Sequence, residues 1–316
     1  MNGLELAKGY FEEFGKPMLE SEFADILPLL AAGFVGSGSE HYGFDDEVSQ
    51  DHDFEPGFCI FIPEENAVDS RRAFQLERAY AKLPKEYGGV KRQQISPVGG
   101  NRNGVIRTAD FYTKLIGSAN GELTAAQWLR LPDYALAEAV NGEVFFDNYG
   151  EFSRIREALI CMPEDIKLKR LAGNLLIMAQ SGQYNFVRCL KHGEPEAAQL
   201  ACTEYVKSAM KATFLLQDRY MPYYKWSFHA LRGLFGTKEL SDKLSFLLFG
   251  DNHDDAVAER KYDVIEEIAS ETIAQLQDRN LTDAICGDLE KHAYSVNDRI
   301  IDGNIRNMNI LISVGE

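Results

Sequence analysis

Two short segments, Val35-Gly36-Ser37-Gly38-Ser39-Glu40 and Ser49-Gln50-Asp51-His52-Asp53-Phe54, decide the predicted fold of this chain. In an extended strand, side chains two residues apart project to the same face, so Asp51 and Asp53 present two carboxylates side by side while His52 points to the other face. Hard oxygen ligands of this kind suit Mg²⁺, which takes its remaining ligands from phosphate and water. The second segment therefore predicts a strand that binds a divalent metal through Asp51 and Asp53.

The glycine-serine segment has a separate predicted role. Because a residue without Cβ lets backbone amides approach a triphosphate closely, Gly36 and Gly38 are predicted to form a phosphate-binding turn. The hydroxyls of Ser37 and Ser39 can donate hydrogen bonds to phosphate oxygens. Since two metal ions can clamp the attacking and leaving oxygens of an in-line displacement, the two segments together predict phosphoryl or nucleotidyl transfer. A Walker-type P-loop is a weaker interpretation, because no Gly-Lys-Ser/Thr follows the glycines.

Some residues near these segments have alternative interpretations. Asp45, Asp46 and Glu47 make the region acidic, so a glycine-serine turn followed by a solvated acidic loop is the structural alternative. Strand parity favours His52 as a hydrogen-bonded structural residue rather than a metal ligand. Glu40 is assigned to the nucleotide-binding loop, where orienting the loop amides, capping the following helix and binding metal all stay open.

The order and spacing of the two segments resemble the pattern of the polymerase-β nucleotidyltransferase superfamily, and residues 38–50 supply the gap between its parts. The longer arrangement closely resembles the uncharacterised family DUF4037. The residues that carry this resemblance are Gly36-Ser-Gly-Ser-Glu40, Gly43-Phe-Asp-Asp-Glu47, Ser49-Gln-Asp-His-Asp-Phe54, Gly142-Glu-Val-Phe-Phe-Asp147, Gly182-Gln-Tyr-Asn185 with Arg188, and Arg219-Tyr-Met-Pro-Tyr-Tyr-Lys-Trp226. The resemblance implies a nucleotidyltransferase domain followed by a helical domain, a layout similar to that of aminoglycoside nucleotidyltransferases.

The resemblance to the superfamily is incomplete at the third acidic residue, which usually lies on a later strand. Ile106 occupies the corresponding place in this sequence. Asp110 follows shortly after and is named as the candidate third catalytic carboxylate, and the general base is Asp110 or a carboxylate of the helical domain. Since the predicted strand need not extend as far as Asp110, the sequence supports nucleotide or metal binding more firmly than it supports catalysis.

The predicted fold class is α+β. A nucleotidyltransferase-like domain with a small mixed sheet is expected over residues 1–125, and an all-α helical bundle over residues 126–316. In the first part, extended runs at 51–62 and around Val105 alternate with helical runs at 4–30 and 69–83. We expect the active site in the cleft between the two domains.

Proline and glycine residues mark the predicted helix ends of the second domain. Pro163 opens a helix that runs to Ser181 or beyond, and Pro195 opens one that reaches Leu216. Apolar residues of a later helix follow the 3.6-residue spacing of a helix packed in a bundle, namely Tyr262, Ile265, Ile268, Ala269, Ile273 and Leu276.

The helical domain is predicted to add cations to the nucleotide site, because the sheet domain offers carboxylates and loop amides but few cations. Lys225, flanked by Tyr224 and Trp226, either lies along an apolar surface or points at an anion. The aromatic residues around it are interpreted as core rather than as a platform for a base. Tyr184 and Arg188 are also assigned to nucleotide binding, although a salt bridge of Arg188 is an equal alternative.

Composition limits the partners of this chain of 316 residues. Its 49 acidic and 33 basic residues give a formal net charge of −16, which disfavours nucleic acid as the main partner. Five dispersed cysteines without C-x-x-C spacing indicate reduced thiols rather than a zinc site. No apolar run reaches the length of a membrane helix, so a soluble cytoplasmic protein is expected. A homodimer stays open.

The sequence supports two candidate functions. The first is a nucleotidyltransferase that uses Mg²⁺ or Mn²⁺ to move a nucleoside monophosphate from a nucleoside triphosphate, with ATP as the expected donor, to a hydroxyl of a small-molecule acceptor. The second is a nucleotide- or metal-binding regulatory or antitoxin-like module that does not turn over and acts through a protein partner. The intact glycine-serine and Asp-x-Asp elements favour the first function, and the missing third acid favours the second.

Overall fold

The computed structural model describes residues 1–46, 54–92 and 102–314. The first elements along the chain are α1 (Gly3–Tyr10), α2 (Lys16–Glu22), β1 (Ala31–Phe34), β2 (Cys59–Ile62), α3 (Ser70–Lys82), β3 (Glu86–Tyr87), β4 (Val90–Lys91), β5 (Gly104–Arg107), α4 (Thr108–Ile116), α5 (Ala125–Arg130), α6 (Asp133–Val140), β6 (Glu143–Asp147) and α7 (Glu151–Ile160). They are followed by α8 (Glu164–Met178), α9 (Val187–Lys191), α10 (Pro195–Leu216), α11 (Tyr224–Gly233), α12 (Lys238–Phe249), α13 (Asp255–Asp278), α14 (Leu289–Asp298) and α15 (Gly303–Arg306).

The chain forms two compact units. The first, here called the sheet unit, comprises Met1–Leu123 and Tyr134–Cys161, and the second, the helical unit, comprises Thr124–Asp133 and Met162–Glu316. The sequence places the change of domain at residue 125. In the structure, the chain returns to the sheet unit after residue 133, so that β6 and α7 belong with the sheet.

The sheet unit contains a four-stranded sheet in the order β5-β2-β1-β6. Strand β1 pairs antiparallel with both β2 and β6, whereas β2 pairs parallel with β5. The predicted small mixed sheet within an α+β fold is therefore confirmed. A separate two-stranded hairpin is formed by β3 and β4.

The two central strands of this sheet, β1 and β2, are continuous apolar runs, and their burial explains this composition. Every residue of β1 and β2 is buried, as expected for strands covered on both faces. On one side, Phe11 and Tyr10 of the N-terminal helical segment pack with Phe58. On the other, Phe61 stacks on Phe152 of α7 with ring centroids 4.0 Å apart. The sheet thus forms the centre of the core of this unit.

Helix α3 and strand β5 confirm the sequence prediction in detail. Asp69 caps α3 by accepting a hydrogen bond from the Arg72 N–H at 2.7 Å. The helix ends at Lys82, ahead of Pro84, and β5 spans Gly104–Arg107. The expectation of an all-α domain over residues 126–316 was wrong at β6, where Val144, Phe145 and Phe146 form a strand because β1 offers a free edge for pairing.

The helical unit is built around α8, which packs against α10 and α14. Helix α8 runs from Glu164 and continues as a π-helical turn from Ala179 to Phe186, so the predicted extension past Ser181 is confirmed. Helix α10 spans Pro195–Leu216, as predicted. On α13, Ile265, Ile268, Ala269, Ile273 and Leu276 are all buried, in agreement with their spacing.

Two lysines inside the helical unit are structural. Lys169 is fully buried, and its Nζ donates to Asn297 Oδ1 and to the carbonyl oxygens of Arg306 and Met308 at 2.6–3.0 Å. Lys261 is equally buried and donates to side-chain oxygens of Gln199 and Asn252. Burial lowers the pKa of both ammonium groups, and these hydrogen bonds offset the cost of desolvating them.

None of the helices in the described part of the chain combines the length and the apolar character needed to span a bilayer.

Gly142, at the turn that leads into β6, yields a prediction about the register of β1 and β6. Its φ is 67°, and a methyl group at this position would overlap the carbonyl oxygen of Phe34. Gly142→Ala should lower the free energy of unfolding by about 1–2 kcal/mol through backbone strain, and by a further 1–3 kcal/mol through the overlap. Urea titration measures the loss.

Gly150→Ala is the matched control for this substitution. Gly150 has a φ of 78°, but a methyl group there would meet no other atom. The control should therefore show the strain alone. Equal losses in the two variants would contradict the close approach of Gly142 to Phe34.

Candidate functional site

The glycine-serine segment forms a turn directly after β1, and its backbone requires glycine. Gly36 has a φ of 119° and Gly38 a φ of 135°, values that residues with a Cβ rarely adopt. A single turn of 3₁₀ helix follows from Ser39 to Tyr42. The predicted turn is thus present at the end of a buried strand. We call the segment Gly36–Gly38 the glycine-serine turn.

The side chain of Asn141 holds the glycine-serine turn through two hydrogen bonds. Its Oδ1 accepts from the Gly36 N–H at 2.9 Å, and its Nδ2 donates to the Gly36 carbonyl oxygen at 2.7 Å. Asn141 is buried and lies between α6 and β6. Arg156 of α7 in turn donates to the Asn141 carbonyl oxygen at 2.6 Å. The turn is therefore fixed before any ligand arrives.

Glu138 of α6 lies beside the same turn. The Ser37 hydroxyl donates to Glu138 Oε2 at 2.6 Å. Burial, with a smaller contribution from the negative charge of Glu138, raises the pKa of the Tyr42 phenol, which stays protonated at neutral pH. A phosphate that takes a hydrogen bond from Ser37 must displace this hydroxyl from Glu138. The site therefore contains a carboxylate that the sequence analysis did not name.

Glu40 also lies beside the glycine-serine turn. Its side chain is 12% exposed and lies against Gly38, with Oε1 3.6 Å from Arg102 Nη1 and 3.4 Å from His41 Nδ1. Burial, with the positive charge of Arg102 adding to it, lowers the pKa of His41 to about 3, so the contact between Glu40 and His41 is not an ion pair at neutral pH. Glu40 is thus placed next to the loop, as its assignment required.

Of the predicted catalytic carboxylates of the sheet unit, the structure describes Asp110 but not Asp51 and Asp53. Asp51 and Asp53, like His52 between them, lie outside the described residues. Asp110 lies in the first turn of α4, past the end of β5, and is exposed. Within residues 1–46, 54–92 and 102–314, no group of three or more His, Cys, Asp or Glu side chains is arranged to hold a metal ion.

The predicted residues of the helical unit are exposed at its surface. Tyr184 lies on the π-helical turn and is 58% exposed, and the Arg188 guanidinium lies 4.9 Å from the centre of its ring. Lys225 lies in the first turn of α11, with Nζ 5.2 Å from the centre of the Trp226 ring. The interpretation of the neighbouring aromatics as core was wrong for Tyr223 and Tyr224, which are 47% and 74% exposed.

Residues 128–227 match the model of a family described as a domain of unknown function, DUF4037. This match confirms, over residues 128–227, the resemblance to the family that was found in the sequence. The matched range includes Glu138 and Asn141 as well as Tyr184, Arg188 and Lys225. No curated protein and no solved structure matches the chain.

Sequence reasoning missed Glu138 and Asn141, which contact the glycine-serine turn from about a hundred residues away. Asn141 directly precedes Gly142-Glu-Val-Phe-Phe-Asp147, one of the segments that carry the family resemblance. That proximity was the available signal. It was not usable without the pairing of β1 with β6, which brings the turn before β6 to the end of β1.

Asn141→Ala tests the hold on the glycine-serine turn. The substitution leaves the buried N–H and carbonyl oxygen of Gly36 without their partner, at about 1–3 kcal/mol for each group. Amide hydrogen exchange at Gly36 should accelerate, and the free energy of unfolding should fall. Hydrogen exchange read by NMR, together with urea titration, measures both effects.

Asn148→Ala supplies the comparison, because Asn148 donates one hydrogen bond to the Leu27 carbonyl oxygen at an exposed position. Its loss should be smaller, about 0.5–1.5 kcal/mol, and exchange at Gly36 should not change. If Gly36 exchanges at the same rate in the wild type and in Asn141→Ala, the Asn141 side chain does not hold the turn.

Proposed function

We propose that this chain is a nucleotidyltransferase that transfers a nucleoside monophosphate from a nucleoside triphosphate, ATP first among them, to a hydroxyl of a small-molecule acceptor. The glycine-serine turn carries this proposal. It follows a buried strand, has positive φ at Gly36 and Gly38, and is held in place by Asn141. A turn of this kind presents backbone N–H groups to an anion, and because the Gly36 N–H is bonded to Asn141, those of the residues that follow Gly36 are proposed for this role.

Asp51 and Asp53 are proposed to hold Mg²⁺ or Mn²⁺, since carboxylate oxygens are the ligands that these cations prefer. The cation would neutralise charge on the triphosphate. The acceptor oxygen attacks the α-phosphorus, the bond to pyrophosphate breaks, and the hydroxyl proton passes to a carboxylate. Asp110, from the sequence, and Glu138, from its position beside Ser37, are the candidates for this base.

The charges around the glycine-serine turn support a requirement for a cation. Glu138 accepts a hydrogen bond from Ser37, and the Glu40 carboxylate lies against Gly38. Both carboxylates repel a bare triphosphate. Arg102, which lies beside Glu40, is a positive charge near them. Binding of a triphosphate as its metal complex removes most of this repulsion. These charges also favour Mg²⁺-nucleotide over free nucleotide as the ligand.

The partners belong to the same proposal. A net charge of −16 disfavours a nucleic acid as the acceptor and is compatible with a neutral or cationic small molecule. Lys225 and Arg188 are proposed as cations for phosphate, and Tyr184 as a ring for the base. A cytoplasmic location fits a nucleotide-dependent reaction.

The second candidate is a nucleotide- or metal-binding regulatory or antitoxin-like module without turnover, acting through a protein partner. One observation favours it. Asp110 lies on α4 rather than on β5, so within the described residues β5 supplies no acidic side chain to the sheet. The two candidates share nucleotide binding and differ in product formation.

Incubation with Mg²⁺ and each radiolabelled nucleoside triphosphate separates the two functions. Pyrophosphate release that depends on an acceptor pool of small metabolites supports the transferase. Nucleotide binding without pyrophosphate release, over the same concentration range, supports the regulatory module. The absence of both contradicts the proposed site.

Asp51→Asn combined with Asp53→Asn tests the metal site. In the wild type, Mg²⁺ with ATP should raise the melting temperature, because a ligand that binds only the folded state stabilises it, by about 2.7 kcal/mol at a hundred times the dissociation constant. The double variant should lose this rise, since its amide side chains no longer attract the cation. Differential scanning fluorimetry measures the shift.

Glu13→Gln combined with Glu22→Gln is the control matched in charge, because it too removes two negative charges; Glu13 and Glu22 lie at exposed positions of the sheet unit. The control should keep the full rise in melting temperature. An unchanged rise in the Asp51 and Asp53 double variant would exclude these residues from the site.

A further inference from the structure

A pocket of about 560 Å³ opens on the surface of the helical unit. It lies between the π-helical turn, helix α13 and the residues that lead into α14, so all of its walls belong to one unit. Its volume falls within the range of small-molecule sites, about 300–1,000 Å³. We call it the helical-unit pocket.

The wall formed by the π-helical turn contains the segment Gly182-Gln-Tyr-Asn185, which carries part of the family resemblance. π-Helical turns are rare and occur frequently at functional sites. A side chain at Gly182 would overlap the ring of Tyr205, so glycine lets the turn pack directly on α10. The Tyr205 hydroxyl donates to the Ile265 carbonyl oxygen of α13 at 2.8 Å. The turn is thus fixed against two helices.

Gln183 joins the three walls of the pocket. Its Nε2 donates to Glu266 Oε2 at 2.8 Å and to the Gly287 carbonyl oxygen at 2.9 Å. Its Oε1 accepts from the Leu289 N–H at 2.9 Å. These hydrogen bonds fix the positions of the pocket walls relative to one another, so the pocket is formed in advance of binding.

Two tyrosine rings and three carboxylates face this space. Tyr184 and Tyr262 contribute the rings, and Glu266, Asp288 and Glu290 the carboxylates. Burial, followed by the charge of Glu266, raises the pKa of the Tyr262 phenol, as expected in a negative field. Aromatic faces and carboxylates are the two kinds of group that attract an organic cation.

The neighbouring acidic surface of α13 shows what carboxylates without such a role look like. There, Glu267 pairs with Arg260 at 2.7 Å, and Lys243 forms ion pairs with Glu267 and Glu271. In the helical-unit pocket, none of Glu266, Asp288 and Glu290 has a basic partner among the described residues, and no Lys or Arg in that part of the chain lines the space. Asp288 also caps α14 by accepting a hydrogen bond from the Glu290 N–H, and the Arg188 guanidinium lies over the Tyr184 ring. The negative charge left to the pocket is therefore carried mainly by Glu266 and Glu290.

We propose that the helical-unit pocket binds an organic cation that carries two or more protonated amino groups, held between the carboxylates of Glu266, Asp288 and Glu290 and the ring of Tyr262. The carboxylates lie on two different walls, which suits a ligand with separated amino groups rather than a single small ion. This inference does not depend on the proposed function, because the pocket lies wholly within the helical unit and its occupancy is measured without nucleotide.

Isothermal titration calorimetry with spermidine as the probe tests the proposal on the full chain. Spermidine should bind the wild type at one site. Glu266→Gln combined with Glu290→Gln should weaken binding by about tenfold or more, since each charge-assisted contact contributes at least that much. The glutamine at position 266 still accepts the hydrogen bond from Gln183, so the fold is preserved.

Glu259→Gln is the matched control, because Glu259 is an exposed carboxylate of the same helix α13 outside the pocket. It should bind spermidine as the wild type does. The proposal is overturned if the wild type does not bind spermidine, if Glu259→Gln weakens binding as much as the pocket variant does, or if the pocket variant binds with unchanged affinity.

Discussion

The pair of hydrogen bonds between the Asn141 side chain and the Gly36 peptide is the interaction on which the sheet unit's candidate site depends. It joins residues 105 positions apart in the chain. Strands β1 and β6 are neighbours in the sheet, so the turn after β1 meets the turn before β6, and one amide side chain satisfies both polar groups of Gly36. Without this pairing, two glycines with positive φ would be free to adopt many conformations.

That constraint has a consequence for chemistry. A fixed turn presents its remaining backbone groups in one arrangement, which lowers the entropic cost of binding an anion. Glu138 of α6 contacts the same turn and lies one helical turn before Asn141 in the chain. One segment therefore supplies both Asn141, which fixes the turn, and Glu138, which places a negative charge beside it. This segment lies within the DUF4037 match, whereas the glycine-serine turn precedes it.

Much of the fold follows from local sequence signals. The parts of the fold that local signals did not predict depend on pairing between segments far apart in the chain. Asp69 and Pro84 bracket α3, and Pro195 opens α10, because caps and prolines act on their immediate neighbours. Strand β6 was missed, since its short apolar run becomes a strand only by pairing with β1. Glu138 and Asn141 were missed for the same reason. The positive φ of the glycine-serine turn, in contrast, was readable from the glycines themselves.

NMR of protein labelled with ¹⁵N-glycine tests whether the glycine-serine turn contacts the phosphates of a nucleotide. On addition of Mg²⁺ with a non-hydrolysable ATP analogue, the amide resonances of Gly36 and Gly38 should shift. Gly303, in α15 of the helical unit, serves as the reference and should not shift to the same extent. Unchanged resonances of Gly36 and Gly38 at saturating nucleotide would contradict the account.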